Sequence, residues 1–146
     1  MRHVTNNGLK LIKSFEGFSS KIYLDSAGLQ TIGYGHLILP HEKHSFKNGI
    51  TATHAEFLLK QDVITAENAV TRLIKTPLTN NQFDSLVSFT FNVGAGALQR
   101  STLRHKVNRG EHESVPAELI KWIYAGGRKI PGLIKRRILE SELYCL

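Results

Sequence analysis

The chain has 146 residues, 41% hydrophobic and 21% charged, which fits one soluble globular domain whose core needs no staples. Cys145 is the only cysteine, which excludes a disulfide-built scaffold. No stretch approaches the ~20 apolar residues of a membrane span, and Met1 to Lys13 lacks the apolar centre of a signal peptide. The net charge of +7, from 19 Lys and Arg against 12 Asp and Glu, attracts polyanions without telling nucleic acid from anionic membrane or wall polymer.

Residues 5–17 predict a short amphipathic helix. Thr5 or Asn6 caps it, Leu9, Ile12 and Phe15 recur at helical spacing, and Gly17 sits where a helix ends. Residues 21–38 change to strand formers, Ile22, Tyr23, Thr31, Ile32 and Tyr34, around the turn composition Asp25-Ser26-Ala27-Gly28. They predict a β-hairpin with a third short strand between Leu37 and Lys47. Residues 40–49, with Pro40, Asn48 and Gly49, read as loop.

From Thr51 onward the pattern is helical. Thr53-His54-Ala55-Glu56 has capping-box spacing, and apolar residues from Phe57 to Ile74 carry the helix for about 22 residues, stopped by Pro77. At ~1.5 Å per residue that length can bridge two lobes. Thr79-Asn80-Asn81-Gln82 opens the next helix, which Val93 to Ala97 breaks. A short helix follows Ser101. Another begins near Ser114 with Pro116 in its first turn, carries Leu119, Ile120, Trp122 and Ile123, and ends at Gly126-Gly127. The last, about Pro131 to Tyr144, sets Leu133, Ile134, Ile138 and Leu143 against Arg136, Arg137, Glu140 and Glu142. No repeat or linker interrupts the chain. The expected architecture is α+β, a small N-terminal β lobe over 18–50 and a larger helical lobe over 1–17 and 51–146, joined by the long helix.

The stretch from Glu16 to His36 carries the chemistry. Glu16 ends a helix that buries Leu9, Ile12 and Phe15, so its carboxyl is expected to be partly desolvated, and desolvation keeps a proton on. A carboxylate at a helix C-terminus also opposes the macrodipole, the kind of local rule that functional sites break. Asp25 follows nine residues later at a turn; turn chemistry alone explains most Asp-x-x-Gly sequences, but turn geometry and base function are compatible. Two carboxylates held apart suit glycosidic hydrolysis, one giving a proton and the other handling water. Thr31 would help Asp25 position that water. Gly33 and Gly35 strip side chains from one strand face, leaving room for backbone or ligand, and His36 reads as a structural residue that orients Glu16 or bonds backbone.

The seven His show no zinc-ligand spacing with Cys, and neither a P-loop nor a dinucleotide fingerprint occurs, so neither a metal nor a cofactor is expected. Arg128-Lys129 and Lys135-Arg136-Arg137 could meet nucleic-acid phosphates, but that reading leaves residues 16–36 without a role.

Glu16 with Tyr23-x-Asp25-x-x-Gly28-x-x-Thr31-Ile32-Gly33-x-Gly35-His36 strongly resembles the bacteriophage-type lysozymes of glycoside hydrolase family 24. The resemblance continues through Gln82 to Phe89, Phe91-Asn92-Val93-Gly94, Gly126-Gly127, Gly132-Leu133, Arg136-Arg137 and Glu140, and so covers nearly the whole chain. It implies a lysozyme-like fold with a cleft between lobes. It also implies a muramidase that hydrolyses the β-1,4 bond between N-acetylmuramic acid and N-acetylglucosamine, as a phage or prophage endolysin. Carried over by position, Glu16 would be the general acid, and Asp25 would activate or hold water or act as nucleophile, with Thr31 beside it. Phe91 would line the cleft, Leu37 and Ser101 are similar to sugar-contacting positions, and Trp122 matches a packing position. The expected partner is the peptidoglycan glycan strand, with no nucleic acid, no stable membrane association and a monomeric state. The resemblance further implies a protein of the host cytoplasm that acts in the periplasm and cell wall after the membrane is permeabilised. The competing expectation is a catalytically silent wall-binding module, which would be free to lose Glu16 or Asp25.

Overall fold

A computed structural model describes residues 1–146. The chain forms two compact units, Lys10–Ile64, and Met1–Leu9 with Thr65–Leu146.

Helix α1 (Asn6–Glu16) starts at Thr5, whose hydroxyl accepts the Gly8 N–H at 3.3 Å, and stops where the Gly17 N–H reaches the Lys13 carbonyl at 3.0 Å. Strands β1 (Ser19–Leu24), β2 (Gln30–Gly33) and β3 (His36–Leu37) then form an antiparallel sheet in chain order. The third strand thus comes at the front edge of the region expected for it. Residues 40–49 are not simply loop: Pro40–Phe46 wind into a 3₁₀ segment. Pro40 starts that segment, the Glu42 carboxylate accepts the Leu39 N–H at 2.9 Å, and Phe46 is buried with Ile32, Ile38 and Leu58, against which Ile50 packs. Burial of one aromatic ring is what pulls a turn-rich sequence into order. Gly33 serves this packing, because a Cβ there would lie 3.0 Å from both Ala55 Cβ and Ile50 Cδ1.

Helix α2 (Ala52–Leu73) begins ahead of the expected Thr53 box. The Thr51 hydroxyl accepts the His54 N–H at 3.1 Å, so Thr51 is the cap, and Glu56 pairs instead with Lys13. Helix α3 (Asn80–Val93) has its expected capping box: the Thr79 hydroxyl accepts the Gln82 N–H at 3.1 Å, and the Gln82 side chain accepts the Thr79 N–H at 2.9 Å. Phe83 to Thr90 are all buried, so α3 is the central helix of its unit. The glycine-rich break is short, and α4 (Ala95–Arg100) follows at once, then α5 (Thr102–Asn108).

Two expectations for the C-terminal part are corrected. The helix near Ser114 is α6 (Val115–Leu119) and stops well before Gly126-Gly127. Those glycines instead turn a small hairpin of β4 (Tyr124–Ala125) and β5 (Arg128–Lys129). Their φ values of 58° and 76° are the two consecutive left-handed residues that a two-residue hairpin turn requires.

Helix α7 (Pro131–Tyr144) has the expected ends but the opposite facing. Arg137 and Glu140 are both 0% exposed and Arg136 is buried, while Ile138 is 46% exposed. The charged face is inside because its groups satisfy one another. Arg137 Nε donates to Glu140 Oε1 at 2.8 Å, and its terminal nitrogens reach Asn92 Oδ1 at 2.7 Å and the Trp122 carbonyl at 3.1 Å. The Ser88 hydroxyl donates to Glu140 Oε2 at 2.6 Å, and Arg136 donates to the Ser88 carbonyl at 3.1 Å. The Arg137 guanidinium also lies 5.0 Å from the Phe89 ring, on which Trp122 packs edge-on. Burial pushes the Glu140 carboxyl pKa up and that of Arg137 down, and their mutual attraction opposes both shifts.

The N-terminal arm is tied into the same unit. Arg2 donates to the Leu78 carbonyl at 2.9 Å and lies 4.6 Å over the Phe83 ring; the Val4 N–H donates to Glu67 Oε2 at 2.7 Å. The Thr5 N–H and hydroxyl both bond the buried Asp84 carboxylate.

Replacing Arg137 by Ala breaks one of the two buried ion pairs of Glu140, leaving Arg136 Nε at 3.3 Å from Oε2, and is expected to cost about 3–5 kcal/mol. Replacing Arg136, Arg137 and Glu140 together by Met is expected to cost less, since all three buried charges go. Urea denaturation followed by circular dichroism measures the difference.

Candidate active site

The site is built on the β1–β2 hairpin. Asp25 closes the turn with its own carboxylate: Oδ1 accepts the Ala27 and Leu29 N–H groups, each at 2.9 Å, and the Gly28 N–H reaches the Asp25 carbonyl at 2.9 Å. Such bonds fix the direction of the carboxylate and leave Oδ2 without a protein donor. Two residues past Leu29, Thr31 is 4% exposed and its hydroxyl donates to the Leu29 carbonyl at 3.0 Å. The same carbonyl accepts the Asp25 N–H at 2.9 Å. The Leu29 residue therefore links Asp25 and Thr31 through both of its backbone polar groups.

Glu16 enters from the last residue of α1 and is half-buried. Gly35 makes room for it, because a Cβ on Gly35 would lie 3.1 Å from Glu16 Oε2. The bare strand face noted in the sequence thus accommodates a protein carboxylate at Gly35 and a packed helix at Gly33. Across the sheet, Tyr23 pairs with Thr31 and Thr31 with Leu37, so these three side chains form a row on one face. Leu37, 44% exposed at the end of the row, is open to solvent beside Thr31.

His36 differs from expectation. Its ring bonds neither Glu16 nor backbone but two other carboxylates, Nδ1 to Asp62 Oδ2 at 2.8 Å and Nε2 to Glu42 Oε2 at 3.1 Å. Burial works to lower the imidazole pKa, but the hydrogen bonds and charges of Asp62 and Glu42 outweigh it and the net shift is upward. Burial holds the Asp62 carboxyl up, whereas Glu42, despite a burial effect upward, is brought down by the Leu39 N–H and by His36. Ser101 lies at the start of α5. It is 3% exposed, and its hydroxyl donates to the Leu98 carbonyl at 2.7 Å and accepts the Arg104 N–H at 3.0 Å. It caps α5 with that hydroxyl. Phe91, near the end of α3, is half-buried in its own unit.

Sequence reasoning gave no role to Leu29, because its part is played by backbone. It also passed over Asp62 and Glu42, which lie 26 and 6 residues from His36.

A family model described as phage lysozyme matches residues 13–140. The chain belongs to the phage lysozyme family. It is 40% identical to the endolysin of Acyrthosiphon pisum secondary endosymbiont phage 1, with 97% of each chain covered. It is equally 40% identical to the endolysin of Bacillus phage B103, of which it spans about half, 54% of the length. Among solved structures it resembles the muramidase domain of SpmX from Asticaccaulis excentricus, with a TM-score of 0.86 and 36% identity over 99% of both chains. As a phage lysozyme the chain is a glycosidase, and the lysozyme family acts on peptidoglycan.

The His36 cluster gives a pH prediction. Because folding raises the His36 pKa above its unfolded value of about 6.5, the imidazolium stabilises the fold fully below that pH, and the contribution is lost as pH rises through the folded pKa. Thermal melts across this window are expected to fall further with rising pH for the wild type than for His36→Asn.

Proposed function

We propose that this lysozyme hydrolyses the bond between N-acetylmuramic acid and N-acetylglucosamine with Glu16 as general acid and with Asp25 and Thr31 holding the attacking water. The observation that carries the proposal is the Leu29 link, through which one residue's N–H orients the Asp25 carboxylate and its carbonyl orients the Thr31 hydroxyl. With Oδ1 occupied by backbone donors, Asp25 Oδ2 is left to accept one water proton. Thr31 gives its own proton to Leu29, so its oxygen retains lone pairs for the second. A water held by two acceptors has a lone pair to aim at the anomeric carbon, while Glu16 protonates the leaving oxygen.

The substrate is a long anionic wall polymer, and the net charge of +7 favours encounter with it. The exposed Leu37 side chain beside Thr31 would contact a sugar face. The enzyme works as a monomer, without nucleic acid and without stable attachment to membrane; no helix is long and apolar enough to cross one. Its place of action is the cell wall, which the endolysin names of its relatives support, and it reaches the wall from the host cytoplasm once the membrane is permeabilised.

Glu16→Gln keeps the shape and removes the proton, and is expected to slow clearing of purified peptidoglycan by about 10²–10⁴-fold. Asp25→Asn is expected to do likewise, and a new reducing end per cleavage would distinguish hydrolysis from an elimination that yields an anhydro-sugar. Clearing by Glu16→Gln at the wild-type rate would overturn the assignment.

A further inference from the structure

Gly35 stands in the tight connection between β2 and β3, where Ile32 pairs with His36. Its φ of 76° is the left-handed conformation such a turn uses, so backbone geometry alone accounts for a glycine there. Its surroundings ask for one separately. A Cβ on Gly35 would lie 3.1 Å from Glu16 Oε2, 3.7 Å from Glu16 Cδ and 4.0 Å from Glu16 Cβ. Apart from its chain neighbours Tyr34 and His36, no other residue comes closer than that. The other left-handed glycines differ. Gly17, Gly28 and Gly110 would meet nothing within 4 Å, and Gly33 would meet Ala55 and Ile50 in the packed interior. Only at Gly35 does the absent side chain face a group that can carry a proton.

Glu16 is half-buried, which limits the directions from which another molecule can reach its carboxyl. The notch over Gly35 is one such direction, and Oε2 borders it. At 3.1 Å a methyl carbon is crowded, whereas an oxygen is close to hydrogen-bond range. Glycine is the residue that lets a ligand approach backbone this closely.

We infer that the missing side chain of Gly35 is the opening through which the leaving glycosidic oxygen reaches Glu16. The inference rests on the reading of Glu16 as general acid. The proton passes from Oε2 to that oxygen as its bond to the anomeric carbon breaks, and the bonding electron pair stays with the oxygen. The water that bonds to the carbon gives up a proton to Asp25 Oδ2, so charge balances across the site. Gly35 contributes no atom to this chemistry. It is a positioning residue, acting on the rate only through access to Glu16.

The test measures reducing-end release from soluble peptidoglycan fragments by wild type, Gly35→Ala, Glu16→Gln, the double variant and Gly110→Ala, with a thermal melt of each. Enzyme concentrations are set so that the residual Glu16→Gln rate is measurable. Gly110, at φ 74° with nothing within 4 Å, reports the strain of a side chain on left-handed backbone without a blocked notch. Both alanine variants should melt below the wild type. Gly35→Ala should also lower kcat by about 10–100-fold with KM changed less than about twofold, while Gly110→Ala keeps the wild-type kcat. In the Glu16→Gln background Gly35→Ala should change the rate by less than about twofold, because the path it blocks leads to a group without a proton. Should Gly35→Ala not fold, Gly35→Asn tolerates left-handed backbone, fills the notch and takes its place in the same comparison. If the Gly35 variant keeps the wild-type kcat while Glu16→Gln is impaired, the glycine serves the turn alone; the inference fails and the acid assignment stands. An equal loss in both Glu16 backgrounds, or a rise in KM alone, also overturns the inference. If Glu16→Gln is as active as the wild type, the acid reading falls and takes this inference with it.

Discussion

One oxygen of Asp25 closes the turn that carries it, and the candidate site depends on that closure. A carboxylate at a hairpin tip would ordinarily sample several rotamers in water. Here two backbone N–H groups hold Oδ1, and the N–H of Leu29 is one of them. The remaining geometry follows from the same few atoms, since the Leu29 carbonyl receives both the Asp25 N–H and the Thr31 hydroxyl. Local turn formation and placement of the reactive groups are then a single folding event, and a change at Ala27, Gly28 or Leu29 would be felt at Oδ2 without touching a side chain of the site.

Much of the fold was legible from residues 5–91 because local chemistry and global packing agree there. Thr5, Thr79 and Gly17 have the types that helix ends require, and the strand formers around Asp25 occur where the hairpin forms. The 3₁₀ segment after β3 was not legible, since its order comes from Phe46 meeting Ile32, Ile38 and Leu58 rather than from its own Pro and Asn. The small hairpin at Gly126-Gly127 was legible in principle. The pair reads as a helix stop, but two consecutive residues able to adopt positive φ also mark the tightest hairpin turn.

Helix α7 shows why hydrophobic pattern failed where it did. Its apolar positions predict an inward Ile138, yet the inward residues are Arg136, Arg137 and Glu140. Periodicity assumes that charge seeks water, which holds unless every charged atom finds a partner of its own. The partners come from α3 and from the Trp122 backbone, about 15–52 residues away in sequence, so nothing local announces them. At the candidate site, residue type was visible and arrangement was not: Glu16, Asp25 and Thr31 stand out by spacing, whereas the Leu29 backbone link, the carboxylate pair on His36 and the capping duty of Ser101 depend on the folded chain.

The N-terminal arm carries a consequence for the life of the protein in a protease-rich lysate. Four residues, Arg2 to Thr5, supply partners to groups more than sixty positions further along the chain, and two of those groups are the buried carboxylates Glu67 and Asp84. An aminopeptidase that nibbled past Thr5 would therefore do more than shorten a tail. It would strand two acids in the interior, loosen α3 at its root and open the chain to further cutting. The arm thus ties the satisfaction of two interior acids to four residues that precede α1.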